Sequence, residues 1–156
     1  MPELDPGFVP AVLHARVFRR LAESTGAAVQ VRIALEQADG SVFHHETAVL
    51  PEAHPLAASE NVRHVERLVK FLLWGWGGWR VHVDGPAAIV TALQAHYADT
   101  ATGRFDSEII GERIYDRPLE IVATRELPSA RATTAPLGRP WNGCRIGFDL
   151  TCGRWA

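Results

Sequence analysis

The chain has 156 residues, of which 47% are hydrophobic and 22% charged, and these proportions exclude a disordered chain and favour a globular domain with an ordinary core. Sixteen Lys and Arg residues stand against eighteen Asp and Glu, and no long basic run is present, so the charge gives no support to nucleic-acid binding. The longest apolar stretch, residues 71–79, is far shorter than the ~20 residues needed to cross a bilayer, so no membrane span is predicted.

Cysteine usage and the N-terminal composition both predict a cytoplasmic protein. The two cysteines, Cys144 and Cys152, are too few for a secreted disulfide scaffold and lack the spacing of a zinc clamp, so we expect two reduced thiols. Residues 1–6 are acidic and contain two prolines. They lack the basic start and apolar centre of a secretory signal.

The first 50 residues are predicted to form a helix followed by a β-hairpin. Between residues 8 and 21, apolar side chains recur at helical spacing, which predicts an amphipathic helix with Val9, Val12, Leu13, Val17 and Leu21 on its apolar face. Gly26 ends this helix, and residues 29–35 then alternate between apolar and polar side chains as in a half-buried strand. The turn signal Asp39-Gly40 and the β-prone run at residues 42–50 complete an antiparallel hairpin.

A second helix and a third strand are predicted next. The hydroxyl of Ser59 is expected to cap a helix that carries one apolar stripe and one polar face. The stripe comprises Val62, Val65, Val69, Leu72 and Leu73, and the face turned to water comprises Arg63, Glu66, Arg67 and Lys70. Gly75, Gly77 and Gly78 are expected to end the helix, and residues 79–83 alternate as a strand.

The remaining elements are a third helix and a fourth strand. Gly85-Pro86 opens the helix, because proline is well tolerated in a first helical turn, and apolar residues continue at spacings of four, at Ile89, Leu93 and Tyr97. Residues 100–103 are predicted to be a loop, and residues 119–123 a strand. The sequence therefore predicts an α/β or α+β layer, with a mixed sheet of about four or five strands and about three flanking helices.

A change of composition predicts a domain boundary near residue 127. Residues 1–126 form the predicted N-terminal α/β domain, and residues 127–140 are rich in Pro, Ala, Ser, Thr and Arg, as in linkers between domains. Residues 141–156 begin a new strand. We expect them to be the incomplete start of a second domain.

The strand at residues 145–150, Arg-Ile-Gly-Phe-Asp-Leu, resembles the first strand of actin-like ATPases and sugar kinases, in which a short apolar strand ends at an aspartate. Three earlier segments strengthen the likeness: residues 78–86, 111–115 and 136–139, which read GWRVHVDGP, GERIY and PLGR. In this order they look like the leading region of bacterial ROK proteins. That family joins sugar kinases and sugar-responsive repressors.

The resemblance implies that Asp149, Thr151 and Gly153 occupy a nominal phosphate-binding turn. In such kinases the aspartate is followed by Gly-Gly and Thr or Ser, whose small size brings backbone N–H groups close to ATP phosphates. Asp149 and Leu150 match the pattern, but residues 151–156, Thr-Cys-Gly-Arg-Trp-Ala, replace the expected continuation. ATP, Mg²⁺ and a carbohydrate are the cofactors and substrate that the resemblance implies for a full-length parent. The present chain, expected to be truncated, should bind no cofactor and transfer no phosphate by itself, and its expected partner is the missing kinase domain.

A second hypothesis is a non-catalytic binding or dimerisation module. Trp74, Trp76 and Trp79 are interleaved with glycines and could form an aromatic platform for a sugar ring or a partner surface, although large aromatic residues at a helix end that leads into a strand more often pack in the core. The adjacent His44 and His45 should point to opposite faces of a strand and cannot easily share a metal ion, so no metal site is predicted. A small independent enzyme ranks last, because no nucleophile and base stand together in the sequence.

Overall fold

The computed structural model describes residues 10–133. The predicted phosphate turn at Asp149, Thr151 and Gly153 lies outside the described residues, as do both cysteines and the strand that was predicted to end at the aspartate. These predictions therefore have no structural account.

Eight regular elements follow one another: α1 (Ala11–Ser24), β1 (Val29–Glu36), β2 (Val42–Val49), α2 (Val62–Trp76), β3 (Arg80–Asp84), α3 (Ala87–Asp99), α4 (Ala101–Asp106) and β4 (Glu120–Ala123). Two π-helical segments, Ala57–Asn61 and Ser107–Ile114, precede α2 and follow α4. The strand order is β2-β1-β3-β4, with antiparallel pairs except for the parallel pair of β3 and β4. The predicted mixed sheet of four strands is confirmed, and four α-helices rather than three accompany it.

The hairpin of β1 and β2 forms as the Asp-Gly signal predicts. The strands pair in register from Val29 opposite Val49 to Glu36 opposite Val42. In the turn, the Asp39 carboxylate accepts a hydrogen bond from the backbone N–H of Ser41 at 2.8 Å. The turn places the neighbouring glycine at a φ of +82°, in the left-handed region that glycine adopts without steric cost. Local chemistry thus sets the register of the first two strands.

One face of the sheet carries the hydrophobic core. Val31, Ile33 and Leu35 of β1 point to this face and are fully buried. They belong to one cluster with side chains from three helices, namely Phe18 and Ala22 of α1, Val65, Val69, Leu72 and Leu73 of α2, and Ile89, Val90, Leu93 and Tyr97 of α3. The helices therefore cover this face as a second layer, as in an α+β fold. None of the helices within residues 10–133 is both long and apolar enough to cross a membrane.

Helix α1 buries less of its apolar stripe than its spacing predicts. Phe18 and Ala22 are buried, whereas Val12 and Val17 are more than half exposed. The first two turns of α1 therefore present apolar side chains outside the core.

The predicted N-cap of α2 is wrong, and its predicted glycine-rich end is right at Gly77 but wrong at Gly75. Ser59 lies inside the π-helical segment, and its hydroxyl approaches the carbonyl of Leu56 rather than an N–H group of α2. The anchoring side chain is Asn61, whose amide bonds both the N–H and the C=O of Leu50 at 2.9 Å. At the other end, Gly75 lies within the helix, which continues to Trp76 and stops where the next glycine takes a φ of +76°.

The predicted loop at residues 100–103 is also wrong, because this segment begins α4. The hydroxyl of Thr100 accepts a hydrogen bond from the N–H of Gly103 at 2.9 Å, and this contact is an N-cap. Gly103 also packs so close to α3 that a Cβ there would lie 2.1 Å from the carbonyl oxygen of His96. A helix can start here because glycine removes the steric conflict.

The second face of the sheet is polar. Along β1 and β3, Arg32 bonds Asp84, and the Glu36 carboxylate contacts both Arg80 at 3.6 Å and the Nε2 atom of His82 at 2.9 Å. Side chains of opposite charge in register on neighbouring strands stabilise the pairing modestly, by roughly 0.2–1 kcal/mol each.

The segment of residues 124–133 passes over this polar face from β4 to β2. The carbonyl of Pro128 accepts a hydrogen bond from Nε2 of His44 at 2.6 Å. Arg131 then pairs with Val42 through two backbone hydrogen bonds of 2.7 and 3.0 Å, and the hydroxyl of Thr133 contacts the turn of the hairpin. Part of the stretch that composition assigns to a linker is therefore attached to the sheet, and the domain boundary itself stays a prediction.

Candidate functional site

A cleft of about 350 Å³ lies between α1, β2 and α2, on the helical side of the sheet. Each element presents a regular set of positions to it. The side-chain alternation of β2 turns His45 and Thr47 toward the helices, and α2 contributes positions 64, 67, 68 and 71, which share one helical face. The polar lining residues are His14 and Arg19 of α1, His45 and Thr47 of β2, and His64 and Arg67 of α2.

His64 and Thr47 are the two buried polar residues of the cleft lining within residues 10–133. Only 6% of the surface of His64 is exposed, its Nε2 atom shares a hydrogen bond of 3.0 Å with the Thr47 hydroxyl, and its ring stacks on Phe18 with 4.2 Å between centroids. Burial, followed by the positive charges of His14, Arg19 and His45, lowers the pKa of His64 to about 4. The imidazole is therefore neutral near pH 7.

The charged side chains that residues 10–133 contribute to the cleft lining, Arg19 and Arg67, are both basic. Burial first and the Arg19 guanidinium second lower the pKa of His45, against an opposing effect of Glu46. Within residues 10–133, neither Arg19 nor Arg67 forms an ion pair. Glu60 lies beside the cleft, with its carboxylate 3.5 Å from Nε2 of His14. Two guanidinium groups thus face a cleft to whose lining residues 10–133 contribute no acidic side chain.

The tryptophans predicted to form one platform lie in separate places. Trp74 and Trp76 are both about half exposed. Side chains that are two positions apart on an α-helix point in directions roughly 200° apart about the helix axis, so these two indoles lie on different sides of α2. Trp74 faces α4, where its indole N–H donates to the Asp106 carboxylate at 3.1 Å beside Lys70. The other indole stacks on Phe43 of β2, with 4.2 Å between ring centroids.

Trp79 is not a surface residue. Its side chain is 7% exposed, and the guanidinium groups of Arg80 and Arg117 lie 4.0 and 4.9 Å from its ring centroid. The three tryptophans therefore do not form one platform. Ligand or partner binding by Trp74 or Trp76 stays a prediction.

The two adjacent histidines occupy opposite faces of β2 as predicted. His44 donates to the carbonyl of Pro128 over the polar face, and His45 lines the cleft. In the part of the chain that the structure describes, no three or more His, Cys, Asp or Glu side chains are grouped so that they could hold a metal ion.

Sequence patterns alone did not predict the cleft. Arg67 was assigned to the face of α2 that points to water, yet it lines the cleft beside His64. A signal was present in the spacing of His64, Leu68 and Phe71 at i, i+4 and i+7, which marks a second stripe next to the core stripe. What covers that stripe depends on where α1 packs, and local spacing does not determine this.

No family model, no curated protein and no solved structure matches this chain. The likeness of residues 145–150 to the first strand of ROK proteins therefore stays a prediction.

Proposed function

We propose that this chain is the accessory module of a ROK-like carbohydrate kinase or regulator, and that its own residues transfer no phosphate. The observation that carries this proposal is the order of four sequence segments, residues 78–86, 111–115, 136–139 and 145–150, of which the last ends in Asp149 and Leu150.

Two of those segments lie within the described fold, and their glycines have steric reasons to be there. Gly78 takes a φ of +141°, and a Cβ on it would approach the carbonyl oxygen of Glu36 to 3.2 Å. A Cβ on Gly111 would lie 2.7 Å from both the carbonyl oxygen of Arg117 and the backbone nitrogen of Leu119. Both glycines are therefore required by the fold of the module itself.

The path of the chain also favours an accessory role. Residues 131–133 are attached beside the turn of the β1–β2 hairpin, so the segment that resembles a kinase strand follows from a defined point on the module. A following ATPase sheet, with ATP and Mg²⁺ between its phosphate loops, would then carry the phosphoryl transfer.

Reading the gene beyond codon 156 in all three frames tests this proposal. We expect a glycine-rich phosphate loop and a catalytic aspartate in one frame, and finding no kinase-like continuation would contradict the proposal. Calorimetry of the purified chain with ATP and Mg²⁺ is the biochemical counterpart, and no tight uptake is expected. Phosphoryl transfer from ATP to a hexose above background would equally contradict it.

A second candidate is a dimerisation module, favoured by the exposed Trp76, which stacks on the partly buried Phe43. Trp76 is 56% exposed although its ring is already stacked on a neighbour, so a large apolar surface remains available to a second copy. Light scattering after size exclusion should show a dimer that the Trp76→Ala variant loses and that the Trp74→Ala control keeps. A monomer in all three samples would eliminate this candidate.

A further inference from the structure

We propose that the cleft between α1, β2 and α2 binds a small organic anion, namely a carboxylate attached to an apolar aromatic or alkyl body. This inference uses residues of the cleft alone and does not depend on the kinase resemblance. Three features carry it: the guanidinium groups at the rim, the apolar walls and the neutral polar floor.

The anionic group of the ligand is inferred from Arg19 and Arg67. These side chains come from α1 and α2, both line the cleft, and neither is in an ion pair within residues 10–133. A guanidinium presents parallel N–H donors that match the two oxygens of a carboxylate, and such charge-assisted pairs are about twice as strong as neutral hydrogen bonds. Two such groups without an acidic partner in the lining are complementary to an anion.

The apolar body of the ligand is inferred from the walls. Val12, Leu68 and Phe71 line the cleft. Val12 is 56% exposed and Phe71 is 70% exposed. Such exposure is unusual for large apolar side chains that share one concave surface. The volume of about 350 Å³ is at the lower end of the range for small-molecule pockets. An aromatic or short alkyl body therefore suits the cleft, because it would remove these side chains from water.

The floor of the cleft is polar without being charged. Thr47 and His64 satisfy each other through a hydrogen bond, and burial together with neighbouring cations holds the pKa of His64 well below its ordinary value. The Arg19 guanidinium, which disfavours a proton on His64, also favours an anion in the same space. The carboxylate is therefore expected at the rim beside the arginines and the apolar body above the floor.

The test compares two probes that differ only in charge, 2-naphthoate and its neutral amide, 2-naphthamide, by calorimetry on the full chain. We expect naphthoate to bind about tenfold more tightly, the difference of about 1.4 kcal/mol that a charge-assisted pair supplies. The Arg19→Gln variant should lose that difference and keep its affinity for naphthamide. The control Arg20→Gln, which removes a neighbouring charge outside the cleft lining, should behave like the wild type.

A second matched pair on α2 protects the test against misfolding of one variant. Arg67→Gln should weaken naphthoate binding as Arg19→Gln does, whereas Arg63→Gln, which removes an arginine that faces Glu60 instead, should not. Thermal melts of all four variants establish that they fold. Equal affinity for the two probes, no binding of either probe to the wild type, or equal loss in the cleft and control variants would overturn the proposal.

Discussion

Lowering the pH from 7 to 5 should destabilise this protein through His64. Its folded-state pKa is about 4, against an ordinary value of 6.5 in the unfolded chain. Between these two values the unfolded state binds more protons than the folded state, so the free energy of unfolding falls as the pH falls through this window. Above pH 6.5 the imidazole is neutral in both states and the free energy of unfolding keeps its full value. Below pH 4 the whole His64 contribution to that free energy has been lost.

The size of the effect follows from the two pKa values. The whole shift corresponds to about 3 kcal/mol, and at pH 5 about 2 kcal/mol of this should already be lost. These figures are order-of-magnitude values for a side chain that is 6% exposed and therefore little screened by solvent. For a domain of ordinary stability, a loss of this size is a large fraction of the total.

Urea denaturation at pH 7, 6 and 5 measures this loss. His64→Gln should be less stable than the wild type at pH 7, since it loses the stacking on Phe18, but its stability should depend less on pH by about 2 kcal/mol over this range. His44→Gln, which changes a histidine on the opposite face of the sheet, should keep the wild-type pH dependence. Equal pH slopes for the wild type and His64→Gln would refute the reasoning.

Three further substitutions test the packing of the helices. Gly103→Ala should lower the midpoint of thermal unfolding by the equivalent of at least ~2 kcal/mol, because its Cβ would meet a backbone carbonyl of α3 at 2.1 Å. Gly75→Ala should raise the midpoint by the equivalent of about 0.5–1 kcal/mol, since it lies inside α2 with nothing within 4 Å of its Cβ, and an unchanged or lower midpoint would contradict this. Asp106→Ala should lower the free energy of unfolding by about 3 kcal/mol, because Lys70 and Trp74 both lose their hydrogen-bond acceptor. Urea denaturation followed by tryptophan fluorescence measures this loss, and wild-type stability in the variant would contradict the prediction.

The sheet was predictable where local chemistry decides the structure. Alternation at residues 29–35 and the Asp39-Gly40 turn sufficed for the hairpin, because a period of two turns Val31, Ile33 and Leu35 to one face whatever the rest of the chain does. The spacing of four from Ile89 onward likewise predicted the buried face of α3.

The candidate site was not predictable, because it depends on contacts between distant elements. Thr47 and His64 are 17 positions apart, and the exposure of Phe71 depends on where α1 packs against β2. The separation of Trp79 from Trp74 and Trp76 also depends on contacts between distant elements. The burial of Trp79 follows from the positions of Arg80 and Arg117, and the latter is 38 residues further along the chain.

The pairing of Arg131 with Val42 has a mechanical consequence. It consists of two backbone hydrogen bonds, of 2.7 and 3.0 Å, at the outer edge of β2. Tension applied through residue 133 in the direction away from the sheet would load these two bonds before any bond among the four strands. The segment up to residue 133 would therefore separate from the edge of β2 at low force while the four-stranded sheet stays intact. A body attached after residue 133 could then move further from the domain without unfolding it.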